Sequence, residues 1–303
     1  MARAADILVK TLTEHGVDRA FCVPGESYLA VIDAMYDAPE IDVVTTRHEG
    51  GAGFMAVADA KMTGKPGIVM VSRGPGATNA SIGVHVAQQD AVPMVMFVGQ
   101  VAREDIGRNA FQEVDYSQTF GDMAKWIVEI TEADKIAENV RRAFTIAQSG
   151  IPGPVIVSLP EDMLLDQTDA PALGPTKIIQ PKPDAGDIVE LCDMLSAAER
   201  PVIIAGGQIG GERGREALRA VSESWNVPVA VSWRHQDLFD VDHPNYACHL
   251  AFNMPPVFKD TLNESDLIIA IGTRLGDVVT QGYKLPEAPS PKQKLVHIYN
   301  DAK

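Results

Sequence analysis

Gly67-Ile68-Val69-Met70-Val71-Ser72-Arg73-Gly74-Pro75-Gly76-Ala77-Thr78-Asn79 is the stretch that decides the fold. It is continuously apolar up to Ser72, the pattern of a strand buried on both faces. Gly74-Pro75-Gly76 then breaks the strand, and a helix is expected to run to Gln89 before a further strand over 94–98. Strand, turn, helix and strand in close succession make the unit of a parallel sheet with helices on both sides.

The same alternation extends outward in both directions. Ile7, Leu8 and Leu12 mark a helix over 6–15, stopped by Gly16. A strand over 20–23 ends at Pro24-Gly25, a helix follows over 28–36, and a strand over 42–46 leads into an Ala- and Gly-rich helix over 49–63. Further on, a helix over 133–148 precedes a strand over 154–159. Residues 166–186, with four prolines and no helical period, read as a surface linker.

Beyond the linker the pattern restarts. A helix over 188–197 leads to a strand over 201–205, which runs into Gly206-Gly207; a helix over 213–225 follows, with strands over 227–232, 266–272 and 295–298. The expectation is therefore α/β, with two doubly wound parallel-sheet domains of Rossmann-like type. The domains are expected at 1–166 and 187–303, joined by a linker at 167–186. The sequence stops at Lys303, directly after a strand, where such a domain packs another element, so it reads as cut.

Bulk properties narrow the partners. With 303 residues and a net charge of −15, the chain repels nucleic acid and anionic membranes. Any anionic cofactor must be held by local donors. Cys22, Cys192 and Cys248 are odd in number and far apart, which argues against a disulfide framework and for a reducing cytoplasm. No apolar run approaches the roughly 20 residues that span a bilayer. His243 and His249 have no partners at metal-ligand spacing and read as loop residues, so no metal site is expected from them.

Several segments sit where ligands bind, at the carboxyl ends of parallel strands. Glu49 lies where a strand gives way to a helix made smooth by Ala52, Gly53, Ala56 and Ala60. Small residues let a backbone or a flat ligand come close; the competing reading is a helix-start Glu favoured by the dipole. Ser72–Asn79 has no Gly-Lys-Ser/Thr and is not a P-loop; otherwise it is a tight turn with Asn79 as a local cap. Val23-Pro24-Gly25-Glu26 ends another strand, and Gly107–Glu113 forms a polar loop. Gly206-Gly207-Gln208-Ile209-Gly210-Gly211 follows a strand but has Gln208 where a dinucleotide fingerprint needs Gly, so close packing is the simpler account.

Taken in order, Val23-Pro24-Gly25, Arg47-His48-Glu49, Gly74-Pro75-Gly76-Ala77-Thr78-Asn79, Phe111-Gln112-Glu113, Leu159-Pro160-Glu161-Asp162 and Ile271-Gly272-Thr273-Arg274 resemble the acetolactate synthase-like family of thiamine-diphosphate-dependent enzymes. The resemblance covers essentially the whole chain. It implies a pyrimidine-binding domain, a central domain, and a third domain, not found in this sequence, that holds the diphosphate through Mg²⁺. It implies that Glu49 hydrogen-bonds the aminopyrimidine ring, sharing a proton with a ring nitrogen and so favouring the tautomer that activates the thiazolium carbon. Pro24, Gly25, Glu26, Ser72, Pro75 and Asn79 match positions around that ring, and Phe111, Gln112 and Arg73 positions near the substrate. The implied substrate is a small 2-oxo acid, joined or cleaved next to its carbonyl, and the implied assembly a homodimer or homotetramer. The chain alone is expected to be inactive.

The sequence departs from the family at three places. Gly-Asp-Gly followed by Asn-Asn is missing. Ile151 precedes Pro152-Gly153-Pro154 where an Arg contacting FAD is usual, and Leu250-Ala251-Phe252-Asn253 replaces a Met-His-Gly run, so FAD is doubtful. Arg73 stands in the place of a small residue; it pairs either with an acidic substrate group or with a surface carboxylate. Two other readings remain: a non-catalytic binding or regulatory module that keeps the dimer surface, and an NAD- or FAD-dependent enzyme using the second domain.

Overall fold

The computed structural model describes residues 1–301, and the chain divides into two compact units, Met1–Ile179 and Gln180–Lys303. The first unit begins with β1 (Ala2–Arg3), α1 (Ala4–Glu14), β2 (Arg19–Cys22), α2 (Leu29–Tyr36), β3 (Asp42–Thr45) and α3 (Glu49–Thr63). It continues with β4 (Gly67–Ser72), α4 (Arg73–Gln89), β5 (Met94–Gln100), α5 (Tyr116–Phe120), β6 (Trp126–Glu129), α6 (Ile136–Gln148), β7 (Pro154–Pro160) and β8 (Gln167–Thr168). Six strands form a parallel sheet in the order β3-β2-β4-β5-β7-β6.

The apolar run at 67–72 is explained by helices on both faces. Ile68 and Met70 of β4 pack with α1, α2 and α6, whereas Val69 and Val71 pack with α3 and α4. β5 alternates in the same way, with Val95 and Phe97 on one side and Met94, Met96 and Val98 on the other. Full burial of each such side chain contributes roughly 1.5–3 kcal/mol relative to exposure.

The connection after β2 leads to β3 on one side, and the connection after β4 leads to β5 on the other. The crevice between the ends of β2 and β4 is thus a topological switch point, where open α/β sheets place ligands.

The second unit contains α7 (Ala185–Ala197), β9 (Pro201–Ala205), α8 (Glu212–Trp225), β10 (Val229–Val231), β11 (Tyr246–His249), α9 (Pro256–Glu264), β12 (Leu267–Ile271) and β13 (Lys294–Ile298). Its five strands are parallel in the order β11-β10-β9-β12-β13. Both units are α/β with doubly wound parallel sheets, as the periodicity required.

Some expectations need correcting. Gly74-Pro75-Gly76 is not a turn ahead of the helix but the first turn of α4, which opens at Arg73. Pro is tolerated there because first-turn N–H groups have no intrahelical acceptor. Asn79 therefore lies inside α4 rather than capping it. His249 ends β11 instead of sitting in a loop. The segment after Asp166 first adds β8, antiparallel to β1, and buries Thr168 before the chain leaves the unit. α5, β6, β11 and α9 are elements that the periodicity did not mark.

Candidate active site

Three neighbouring strand ends build the site. β3 delivers Glu49 as the first residue of α3, with His48 at the N-cap accepting a 3.0 Å hydrogen bond from the Gly50 amide on its Nδ1. β4 delivers Ser72 and α4. β2 delivers the Val23-Pro24-Gly25 bend.

Glu49 is half-buried, and its carboxylate turns towards α4. Asn79 donates from Nδ2 to Glu49 Oε2 at 2.9 Å. A methyl group built on Gly76 would lie 3.5 Å from Glu49 Oε1, so glycine keeps that side of the carboxylate open. Among the described residues, Oε1 receives no hydrogen bond.

The backbone of α3 reaches α4 closely one turn further on. A Cβ on Gly83 would meet Gly53 Cα at 2.6 Å, and one on Gly53 would meet Gly83 Cα at 3.1 Å. The smooth side of α3, with Ala52, Ala56 and Ala60, is thus buried inside the unit with Ala77, Ala80 and Val84 of α4. It is not a free face for another subunit. Phe54, Met55 and Met62 on α3 and Ile82 on α4 are exposed instead.

The β2 bend is fastened to β4. Ser27 and Ser72 share a hydrogen bond of 2.7 Å between their hydroxyls. A Cβ on Gly25 would strike the Ser72 side chain at 2.4 Å. The Tyr28 hydroxyl donates to the Val23 carbonyl, with the Met70 carbonyl at 3.3 Å. Burial pushes this phenol well above its usual range, and the neighbouring Cys22 and the Glu49 carboxylate push the same way, so it stays a neutral donor. Ser27 and Tyr28 were not singled out from the sequence, although two buried hydroxyls directly after a Pro-Gly bend are a signal that such a bend is anchored.

A third group lies around Arg73. Its guanidinium contacts Glu161 Oε2 at 2.7 Å and the Phe111 carbonyl at 3.4 Å, while the Gly74 amide donates to the Gln112 carbonyl at 3.0 Å. The Phe111 and Gln112 side chains are exposed. Pro24, Glu26 and Pro75 are also exposed, and none of the three makes a hydrogen bond to Glu49.

In the second unit the Gly-rich turn is occupied by the protein itself. The Gly206 amide donates to Ile271, that of Gln208 to Gly272, that of Ile209 to Gly206 and that of Gly210 to Gly207, all at 2.9–3.2 Å. A Cβ on Gly207 would meet the His235 ring at 2.3 Å. His243 Nε2 lies 3.2 Å from Glu223, and among the described residues no group of His, Cys, Asp or Glu is arranged to hold a metal ion.

Comparison with known proteins accounts for both units. Residues 2–119 match the N-terminal TPP-binding domain of thiamine pyrophosphate enzymes, and residues 188–303 match their central domain. The chain is 34% identical to an acetolactate synthase of Mycobacterium bovis over 97% of its own length and 48% of that protein. It is 33% identical to the acetolactate synthase isozyme 3 large subunit of Escherichia coli, over 92% of this chain and 50% of the relative. The mitochondrial acetolactate synthase catalytic subunit of Saccharomyces cerevisiae is also 33% identical, over 90% and 42%. The chain thus spans about half the length of the curated relatives it matches. It belongs to the thiamine pyrophosphate enzymes and carries their N-terminal cofactor-binding domain and their central domain.

Proposed function

We propose that Glu49 binds and activates the aminopyrimidine ring of thiamine diphosphate, in an acetolactate synthase-like enzyme that makes or breaks a C–C bond beside the carbonyl of a 2-oxo acid. The observation that carries this reading is the Glu49–Asn79 pair at the switch point. Asn79 fills one carboxylate oxygen, and Gly76 leaves the other open, so a single acceptor is presented to a flat ring. The residues present fit such a group: a proton-sharing carboxyl, a glycine beside it, and a bend held close by Ser27, Tyr28 and Ser72.

When bound, the cofactor supplies the carbanion and the electron sink. The protein's own part is to hold a proton at Glu49 Oε1 and to orient the ring. Asn79 keeps Oε2 occupied, so that the proton is shared with the ring and not passed along the helix. Gly25, with Pro24 and Glu26, and Ser72, with Pro75, form the walls; Phe111, Gln112 and Arg73 lie towards the substrate. The diphosphate and its Mg²⁺ are held outside these two domains.

The amides of Gly206, Gln208, Ile209 and Gly210 are already engaged, which supports close packing there over a flavin or nicotinamide site. No helix among the described residues is long and apolar enough to cross a membrane, and the three cysteines are free. The free, widely spaced cysteines support a reducing, cytoplasmic setting. The exposed apolar residues of α3 and α4 support a homodimer or a homotetramer.

The test is titration with thiamine diphosphate and Mg²⁺ of the enzyme that includes the diphosphate-binding part, as wild type and as Glu49→Gln. A loss of turnover on the order of 10²-fold or more is expected, because the general acid–base group is removed. Equal rates in the two proteins would sink the assignment.

A further inference from the structure

Arg73 is unusual on several counts. It has φ +44°, a left-handed conformation that is unfavourable for any residue but glycine. Its side chain is only 18% exposed, and its Nε is buried without a hydrogen-bond partner. Glycine at this position would remove both penalties, and a small side chain would remove the second. Strain kept in place beside a candidate site points to a function for the side chain that causes it.

Its contacts say what that function is. One guanidinium nitrogen meets Glu161 Oε2 at 2.7 Å and another reaches the Phe111 carbonyl at 3.4 Å. Glu161 is itself held at the end of β7, its amide donating to the Gln100 carbonyl at 3.2 Å. The loop it grips has contacts of its own as well. The Glu113 carboxylate accepts from the Gly107 and Ala110 amides, and Gln100 Nε2 donates to the Val114 carbonyl at 3.1 Å. Gly74 cannot carry a side chain here, since a Cβ would meet Val114 Cγ2 at 2.5 Å. On this immobilised loop Phe111 is 79% exposed. A large apolar side chain on a fixed backbone, open to solvent, suits contact with a ligand more than support of the fold.

We propose that Arg73 is a positioning residue, a latch between Glu161 and the Phe111 carbonyl that fixes the Gly107–Glu113 loop and so sets where Phe111 and Gln112 stand at the mouth of the Glu49 site. The latch stands on the contacts alone; what the loop faces rests on the thiamine reading.

Amide hydrogen exchange on this chain tests it, with Arg73→Gly, Arg73→Lys and Glu161→Gln. Arg73→Gly relaxes the left-handed backbone, so the fold is retained. Exchange at Gly74, Gly107 and Ala110 is expected to rise about tenfold or more in Arg73→Gly, and in the same direction in Glu161→Gln, while β4 and β5 amides stay within about twofold. Arg73→Lys, which keeps the ion pair, is expected to restore most of the protection. Loop exchange within about twofold of wild type in both Arg73→Gly and Glu161→Gln would overturn the latch, as would an equal rise throughout the sheet. In the enzyme with its diphosphate-binding part, Arg73→Gly is expected to raise KM for the 2-oxo acid about tenfold with a smaller change in kcat. A loosened loop with KM unmoved would overturn the positioning role. A wild type that turns over no 2-oxo acid would overturn the thiamine reading instead, and the exchange data would still decide the latch.

Discussion

At Glu49 the contact that matters most to the proposed function is the 2.9 Å hydrogen bond from Asn79, because it occupies one carboxylate oxygen and leaves the other for the proposed ligand. Asn79→Ala removes that donor and leaves the backbone helical. Thiamine diphosphate binding, followed by calorimetry in the enzyme with its diphosphate-binding part, is expected to weaken about tenfold, the value of one hydrogen bond to a charged group. Unchanged affinity would mean that Asn79 merely decorates α4. The strand-to-helix corner at Glu49 was legible in the sequence, but it fits a helix-start Glu equally, and the role proposed for the carboxylate came from the resemblance of Arg47-His48-Glu49. The Asn79 bond was not, since the two residues lie 30 positions apart and only packing brings them together. Arg73 left two readings open, and the ion pair with Glu161 favours the surface carboxylate over an acidic substrate group.

Among the elements, α3 and α4 make the closest approach, and glycine permits it. Gly83→Ala is expected to destabilise the unit by about 1–3 kcal/mol, because the methyl group would press on the Gly53 backbone, which cannot step aside. Gly51→Ala, on the exposed side of α3 with nothing within 4 Å, is expected to stabilise it by up to about 1 kcal/mol through helix propensity. Urea unfolding of the two variants gives opposite signs if this account holds. The ends of α1 and α6 carry a pH-dependent element. Burial lowers the pKa of His15, which packs 4.3 Å from the Phe144 ring, and the charge of Arg141 adds to this. A histidine held below its unfolded value contributes stability that is complete above about pH 6.5 and declines as the pH falls. His15→Phe is expected to flatten that decline, as read from hydrogen exchange of α1 and α6 amides between about pH 7 and 5. An unchanged slope would assign it to other groups. The elements that escaped the sequence reading have physical reasons. β6 and β11 are edge strands with half-buried side chains, so neither a continuous apolar run nor a clean alternation marks them. By contrast, α9 had a readable start at Pro256 with Phe258 and Leu262 one turn apart, and α5 had Asp115 as a cap that accepts from two amides.

For the molecule as a whole, both sheets were legible because parallel strands buried on two faces have the plainest of sequence patterns. The adjacency of β2 and β4, from which the chain leaves to opposite sides and so creates the switch point, was not legible, because strand order is a property of the assembled sheet. Association is the prediction that belongs at this scale. The smooth side of α3 is taken up internally, so the proposed pairing would draw on exposed residues such as Phe54, Met55, Met62 and Ile82. Light scattering is expected to give at least twice the 32.6 kDa of one chain, and Phe54→Asp with Met55→Asp is expected to return it to one. A wild type that elutes as a single chain would remove the proposed assembly while leaving Glu49 untouched.

Glu49 and Gly53 are one turn apart on α3, and Asn79 and Gly83 are one turn apart on α4. The glycine contact therefore acts as the rivet of a pair of shears whose tips are the carboxylate and the amide. Spreading the rivet parts the tips. Alleles at residue 53 or 83 would then imitate lesions of the carboxylate, losing ligand affinity out of proportion to stability, although every atom that meets the ligand stays chemically intact.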